Sequence, residues 1–376
     1  MTRPLDLTPG PAQPAPPPLI AVDRAVAELR RGGIVAVRGD DQRIAYALAA
    51  EAATADSLAT LTTLAGARPG LAVTGRRAAV LGLAEAPDGV VRVDMAEGLT
   101  AEVVAWLADP VAREVPEPDL AALSVRAADA GSGIAASVAL AKVARLLPAT
   151  LVAVPPSGAL LLSGLLVVDA ADIAAHQQIA ARSLCMVSEA RVPLKDAENA
   201  RIVAFRPADG GIEHLAIVIG EPDGDRPVLA RLHSECFTGD LLGSLRCDCG
   251  DQLRGAIAEI AQAGSGVLLY LSQEGRGIGL VNKLRAYRLQ DEGFDTLDAN
   301  LQLGFDDDER IYQPAAQMLR LLGIGSVRLL TNNPRKVDSL AAHGIQVAER
   351  VPHVFPSNDH NQGYLRTKAT RSGHLF

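Results

Sequence analysis

Three cysteines and a histidine fall within seventeen residues of this chain, as His233-Ser-Glu-Cys236 and Cys247-Asp-Cys249. Only four cysteines occur among 376 residues. Core thiols usually sit singly in apolar runs, as Cys185 does in Ser-Leu-Cys-Met, so three together in a polar, charged stretch point to metal ligation. Structural zinc takes four protein ligands, whereas catalytic zinc takes three and keeps one position for water. Three thiolates with no evident fourth ligand match the open kind. The competing reading is a disulfide. Cys247 and Cys249 are too close to bridge without strain, and a bond from either to Cys236 needs an oxidising compartment that nothing else in the sequence suggests. Zinc is therefore the expectation. His233 is either a further ligand or a neighbour, and because its surroundings read as a strand running into a loop, a nearby polar role is favoured.

A second group of residues has the chemistry of phosphate binding. The loop Gln273-Glu-Gly-Arg-Gly-Ile-Gly279 follows an apolar strand; glycine lets backbone N–H groups approach a ligand, and an arginine fork can grip phosphate at two points. Taken alone, a glycine turn after a strand is common structural punctuation. Lys336 stands at the start of a helix, where the dipole also favours an anion, although it reads equally as a solvated surface lysine. Arg231, Arg246, Arg276 and Arg310 lie in or beside turns and together would balance a triphosphate. The run Asp306-Asp-Asp-Glu309 offers a general base and a place for Mg²⁺ carried on a nucleotide. A bare charge run is usually a solvated face, but Gly304 before it suggests a turn that presents Asp308 and Arg310 in a fixed arrangement. Tyr287, on the helix after the glycine loop, could orient a reacting water; a half-buried structural tyrosine is the alternative.

These residues need a scaffold. The chain is long enough for two domains, and the text alternates between helices and short apolar strands. The expected fold class is α/β (α+β), with each domain a mixed sheet flanked by helices. Residues 1–19 carry seven prolines, a density that forbids helix and predicts an extended, disordered tail. The first domain is expected over 20–185, with a helix at 22–31 and strands at 33–37 and 151–154. The second is expected over 186–376, with strands at 202–205, 214–219, 228–232, 266–272 and 326–331 and helices at 252–262 and 281–290. A net charge of −8 disfavours a nucleic-acid backbone as partner. No apolar run approaches the ~20 residues of a membrane span, and the N-terminus lacks a secretory signal, so no membrane association and a cytoplasmic location are expected.

The runs Leu-Ala-Arg-Leu-His-Ser-Glu-Cys (229–236), Gly-Asp with Ser-Leu-Arg-Cys-Asp-Cys-Gly (239–250), Gln-Glu-Gly-Arg (273–276), Asn-Lys-Leu-Arg-Ala-Tyr (282–287), Leu-Gly-Phe with Asp-Glu-Arg (303–310) and Leu-Leu-Thr-Asn-Asn-Pro-Arg-Lys (329–336) closely resemble GTP cyclohydrolase II. The resemblance covers about half the chain. It implies zinc, one per subunit, on Cys236, Cys247 and Cys249. It implies GTP contacts from Arg231, Leu232, His233, Ser234, Glu235, Gln252, Glu274, Gly275, Arg276, Thr296, Thr331 and Lys336, with Mg²⁺ on the triphosphate. It also implies Asp308 as proton acceptor, Arg310 as nucleophile toward the α-phosphorus, Tyr287 in the ring chemistry, and a homodimer. The implied reaction opens the guanine imidazole and releases formate and diphosphate, the first step of riboflavin biosynthesis. Variants weighed against it are an enzyme stopping at the formamidopyrimidine and a non-catalytic, zinc-stabilised GTP-binding regulator. Ala27-Glu-Leu-Arg-Arg-Gly-Gly-Ile-Val-Ala-Val resembles the opening of a 3,4-dihydroxy-2-butanone 4-phosphate synthase domain. The segment Arg38–Tyr46 lacks that domain's acidic metal loop, and nothing near Ser132–Ser137 replaces its Gly-His-Thr segment. The first domain is thus expected to be degenerate.

Overall fold

The computed structural model describes residues 17–85, 88–112, 114–156, 164–356 and 371. Residues 1–16 of the proline-rich tail lie outside the described residues. Pro17 to Leu19, expected as the end of that tail, instead begin the helix Pro17–Arg30. The reason is positional: proline fits the first helical turn, where its missing N–H has no partner to lose. Leu19, Val22, Ala25 and Leu29 then form a buried stripe at helical spacing.

Two compact units make up the described chain, one of residues 17–177 with Ile278–Glu309 and the other of Gln178–Gly277 with the residues from Arg310 onward. The first unit is built on seven strands: β1 (Val35–Arg38), β2 (Ile44–Ala49), β3 (Gly70–Thr74), β4 (Val90–Met95), β5 (Leu123–Ala127), β6 (Ala149–Ala153) and β7 (Leu166–Asp169). Their order is β5-β4-β3-β6-β2-β1-β7, and only the β1–β7 pair is parallel. Helices cover the sheet, and several start at side-chain caps: Thr54, Thr74, Thr100 and Ser132 each accept an N–H from three residues on. In the same unit lie the helices Leu280–Asp291 and Thr296–Gln302. Their apolar side chains Ile278, Ala286, Leu289, Ala299, Leu303 and Phe305 close a core with Leu147.

The second unit holds β8 (Cys185–Arg191), β9 (Ala200–Arg206), β10 (His214–Ile219), β11 (Val228–Ser234), β12 (Gly266–Leu271), β13 (Ser326–Leu330) and β14 (Gln346–Val351), in the order β14-β13-β11-β12-β10-β9-β8. Strands β8, β9, β10 and β12 pair antiparallel. Strands β12, β11, β13 and β14 run parallel. The inner strands β11 and β12 are almost wholly buried, which explains the unbroken apolar text of β12. Against one face of this sheet packs the helix Cys249–Gln262, through Leu253, Ala256, Ile257 and Ile260, and Gly264 at φ +90° stops it. The other face takes the helices Gln313–Leu321 and Pro334–Ala342 through Met318, Leu319 and Leu340. Among the described residues, no helix is long and apolar enough to cross a membrane.

Phe305, 1% exposed, is the largest side chain in the core that binds the 278–309 segment. Phe305→Ala should cost about 3–5 kcal/mol, read as a lower urea midpoint in the fluorescence of Trp106, which packs in the same unit.

Candidate functional site

Strands β13, β11 and β12 are parallel neighbours and therefore end at one edge of their sheet. Ligands in α/β folds gather at such carboxyl ends. From β11 the chain enters Glu235 and Cys236, from β12 Gln273 to Arg276, and from β13 Thr331 to Lys336.

Cys236 is followed by a wide turn, Phe237–Leu241, and Cys249 opens the helix that packs beneath. The three Sγ atoms lie within 4.8 Å of one another, with Cys236 and Cys247 3.7 Å apart. A disulfide needs ~2.05 Å, and all three thiols are free. Two sulfurs each ~2.3 Å from a tetrahedral zinc stand ~3.8 Å apart, so the observed spacing fits that ion. The backbone is cut to the same shape. A Cβ on Gly239 would meet Cys247 Sγ at 2.8 Å and Cys236 Sγ at 3.1 Å, and one on Gly250 would meet the Gly239 carbonyl at 2.3 Å. Hydrogen bonding to Cys236, with burial and the charge of Cys236, pushes the Cys247 thiol up to about 11 against the opposing pull of Cys249. Cys249 is raised well above the usual thiol range, first by its hydrogen bonds to Cys236 and Cys247. Both of these thiols therefore favour the protonated form until a cation displaces the proton.

His233 is not part of that cluster. Its Nε2 lies 3.0 and 3.1 Å from the two Asp240 carboxylate oxygens, and its ring stacks on Tyr270. Asp240 also accepts the Cys236 N–H at 2.9 Å and the Tyr270 hydroxyl at 2.9 Å. Burial holds the His233 pKa below its ordinary value despite the Asp240 carboxylate. A neutral imidazole donating to Asp240 fixes the turn that carries Cys236. Gly239 and Asp240 stand in a motif that carries the family resemblance, but sequence reasoning gave neither a role, and it missed Tyr270, which lay inside a strand read only as apolar.

The neighbouring side chains are tightly held. Glu274 accepts the Phe237 N–H at 2.6 Å and the Gly275 N–H at 2.9 Å, so the glycine loop is tied to the cysteine turn. Gly275 and Arg276 both adopt left-handed backbone, at φ +63° and +60°, a conformation that strains an arginine. Arg231, 5% exposed, donates to the Leu330 carbonyl at 2.8 Å and to Gln252 Oε1 at 2.5 Å, while Gln252 donates to Asp248. Burial lowers its guanidinium to about 10, with Asp248 pulling the other way, so it remains a cation at neutral pH. Arg231 Nε and Ser234 Oγ are buried without a hydrogen-bond partner among the described residues. Leu232 buries its side chain in the core and offers its carbonyl to Lys336 Nζ at 2.7 Å. Lys336 and Arg310 both lie over the Tyr312 ring, at 6.0 and 5.8 Å from its centre. Thr331 Oγ1 accepts the Asn333 N–H at 3.0 Å, and Asn333 caps the helix on which Lys336 sits. Tyr287, Thr296 and Asp308 belong to the other compact unit. There Lys283 Nζ lies 5.7 Å over the Tyr287 ring, and Thr296 begins the helix Thr296–Gln302.

A "GTP cyclohydrolase-2" of Azospirillum brasilense is 58% identical over 363 residues, 95% of this chain and 94% of its own. The chain belongs to the GTP cyclohydrolase II family. The family model described as GTP cyclohydrolase II matches residues 185–352. A "GTP cyclohydrolase-2" of Cronobacter sakazakii is 55% identical over 190 residues, 50% of this chain and 96% of its own. Among solved structures, a two-domain 3,4-dihydroxy-2-butanone 4-phosphate synthase from A. baumannii is similar with a TM-score of 0.33 and 16% identity, covering 82% of this chain and 93% of that one.

Gly239→Ala should lower the metal bound per chain in elemental analysis, because its methyl group would crowd the Cys247 and Cys236 sulfurs; Gly325→Ala, with nothing within 4 Å of the added carbon, should leave it unchanged. Since the thiols must lose protons to bind, chelator extraction should be faster at pH 6 than at pH 8.

Proposed function

We propose that this protein hydrolyses GTP to 2,5-diamino-6-(5-phosphoribosylamino)pyrimidin-4(3H)-one, formate and diphosphate, the entry step of riboflavin biosynthesis. The observation that carries the reading is the three-sulfur cluster at the ends of parallel strands, in a chain 58% identical to a GTP cyclohydrolase-2 over nearly its whole length. Cys236, Cys247 and Cys249 would hold one zinc per subunit, which supplies Lewis-acid activation of water at the imidazole carbon of guanine. Mg²⁺ would arrive with the triphosphate.

The side chains divide the remaining work. Gln252, oriented by Arg231 and Asp248, presents an amide to the guanine edge. Arg276 and Lys336 meet the phosphates, with Glu274, Gly275 and Thr331 shaping the loops that deliver them, and Ser234 and Glu235 line the end of β11. Because three thiolates outweigh the two charges of zinc, proton removal falls to a side chain, and Asp308 takes that part. The family resemblance gives Thr296 a part in GTP binding and Tyr287 one in the second hydrolysis that expels formate. Arginine stays protonated and is a poor nucleophile, so Arg310 stabilises charge at the α-phosphorus as diphosphate leaves. The family's usual homodimer is the proposed assembly. A reducing cytoplasm is the proposed compartment, because it keeps the thiols free for metal.

Zinc-replete protein incubated with GTP and Mg²⁺ should give the diaminopyrimidine mass and stoichiometric formate, whereas Cys247→Ser gives neither. A retained formyl group, or GTP binding without turnover, would contradict the reading. The same protein given ribulose 5-phosphate and Mg²⁺ should form no dihydroxybutanone phosphate, because the Arg38–Tyr46 and Ser132–Ser137 segments lack the oxygen and nitrogen ligands that step needs.

A further inference from the structure

The segment Ile278–Glu309 belongs to the same compact unit as residues 17–177, and a set of polar anchors joins the two. Thr74 caps the helix Gly75–Val80 and also donates its hydroxyl to the Gly304 carbonyl at 2.7 Å. Gly304, at φ +84°, allows this approach: a Cβ there would meet Thr74 Oγ1 at 2.8 Å and both Arg77 Cβ and Pro148 Cγ at 3.1 Å. Arg77, 4% exposed, spreads its guanidinium over three carbonyls, those of Leu107 at 2.8 Å, Gln302 at 2.9 Å and Trp106 at 3.2 Å. Burying a cation is costly unless every donor is used. Here the donors tie the end of the helix Thr296–Gln302 to the N-terminal fold.

The acid run itself is gripped next. Arg76 Nε donates to Asp306 Oδ1 at 2.5 Å, and Lys142 Nζ reaches Asp306 Oδ2 at 3.4 Å and Glu309 Oε1 at 2.7 Å. The Asp306 N–H donates to Glu309 Oε1 at 2.9 Å, closing the turn on itself. Asp307 and Asp308 therefore sit between two carboxylates fixed from outside the segment. Burial alone would raise the Asp306 carboxyl, but Lys142 and Arg76 outweigh it and hold the pKa below the ordinary value. At the other end, Arg285 pairs with Glu51 and Asp109, each at 3.1 Å, and buried Asn282 donates to the Arg145 carbonyl at 3.1 Å, which seats the helix that bears Tyr287.

We propose that the N-terminal fold is a positioning element for the hydrolase reaction, with Thr74, Arg76, Arg77 and Lys142 setting the geometry of the Gly304–Glu309 turn and hence of Asp308. The proposal rests on the reading of Asp308 as proton acceptor. None of the four is a catalytic residue; each acts through the turn it holds.

Full-length Lys142→Met, Arg76→Gln and the double variant separate this role from a merely structural one. In the double variant, kcat for formate release should fall roughly ten- to a hundredfold, the scale on which small misplacements of a reacting group act. KM for GTP, zinc per chain and the thermal midpoint should stay near those of the parent, and Lys142→Arg should restore most of the rate lost in Lys142→Met. Asp308→Asn, measured alongside, tests the underlying reading. An inactive Asp308→Asn with an unchanged double variant overturns the positioning role and leaves the base in place. An active Asp308→Asn removes the base itself, and the proposal with it. A loss of kcat matched by lost zinc or a lowered midpoint overturns the proposal in favour of simple destabilisation.

Discussion

Cys236, Cys247 and Cys249 bring three sulfur atoms within 4.8 Å of one another, and hydrogen bonding within the cluster, with burial, raises the Cys247 and Cys249 thiols until a cation replaces their protons. Much of the surrounding structure answers to that crowding. Gly239 and Gly250 are glycines because a methyl group at either would strike a sulfur or the backbone beside it. Asp240 gathers the Cys236 N–H, the His233 ring and the Tyr270 hydroxyl, so one carboxylate fixes the turn that the metal would otherwise have to organise. Binding energy for a metal is largest when its ligands are already placed.

A second constraint is electrostatic. Arg231 and Lys336 are buried cations that each donate to a backbone carbonyl, Leu330 for Arg231 and Leu232 for Lys336. Carbonyl dipoles orient a cation without cancelling its charge. Tyr312, flanked by Arg310 and Lys336, adds a polarisable surface that tolerates both. The left-handed Arg276 is strain of the kind that persists where the surrounding structure over-determines it.

The second unit was largely legible in the sequence. Its central strand β12 is buried and reads as a continuous apolar run, Gly266–Leu271, while the helix Cys249–Gln262 carries its apolar side chains at regular helical spacing. The three thiols announced themselves because polar surroundings are unusual for core cysteines; Cys185, read as one of those, is only half-buried. The first unit was harder. Strands such as β2, Ile-Ala-Tyr-Ala-Leu-Ala, are built from alanine, which lacks strand preference, and they exist through burial in the sheet centre. Nothing local marks Ile278–Glu309 as part of that unit, because the contacts involved, such as Arg77 to Gln302 and Thr74 to Gly304, span more than two hundred residues. Such pairings are decided by tertiary packing, to which neither periodicity nor motif spacing gives access.

The sulfur cluster and the chemistry attributed to it meet in one measurement, the titration of zinc-depleted protein with zinc while formate release from GTP is followed. Activity should rise in proportion to bound zinc and level off at a single equivalent per chain. Full formate release from protein that elemental analysis shows to be free of metal would contradict the account.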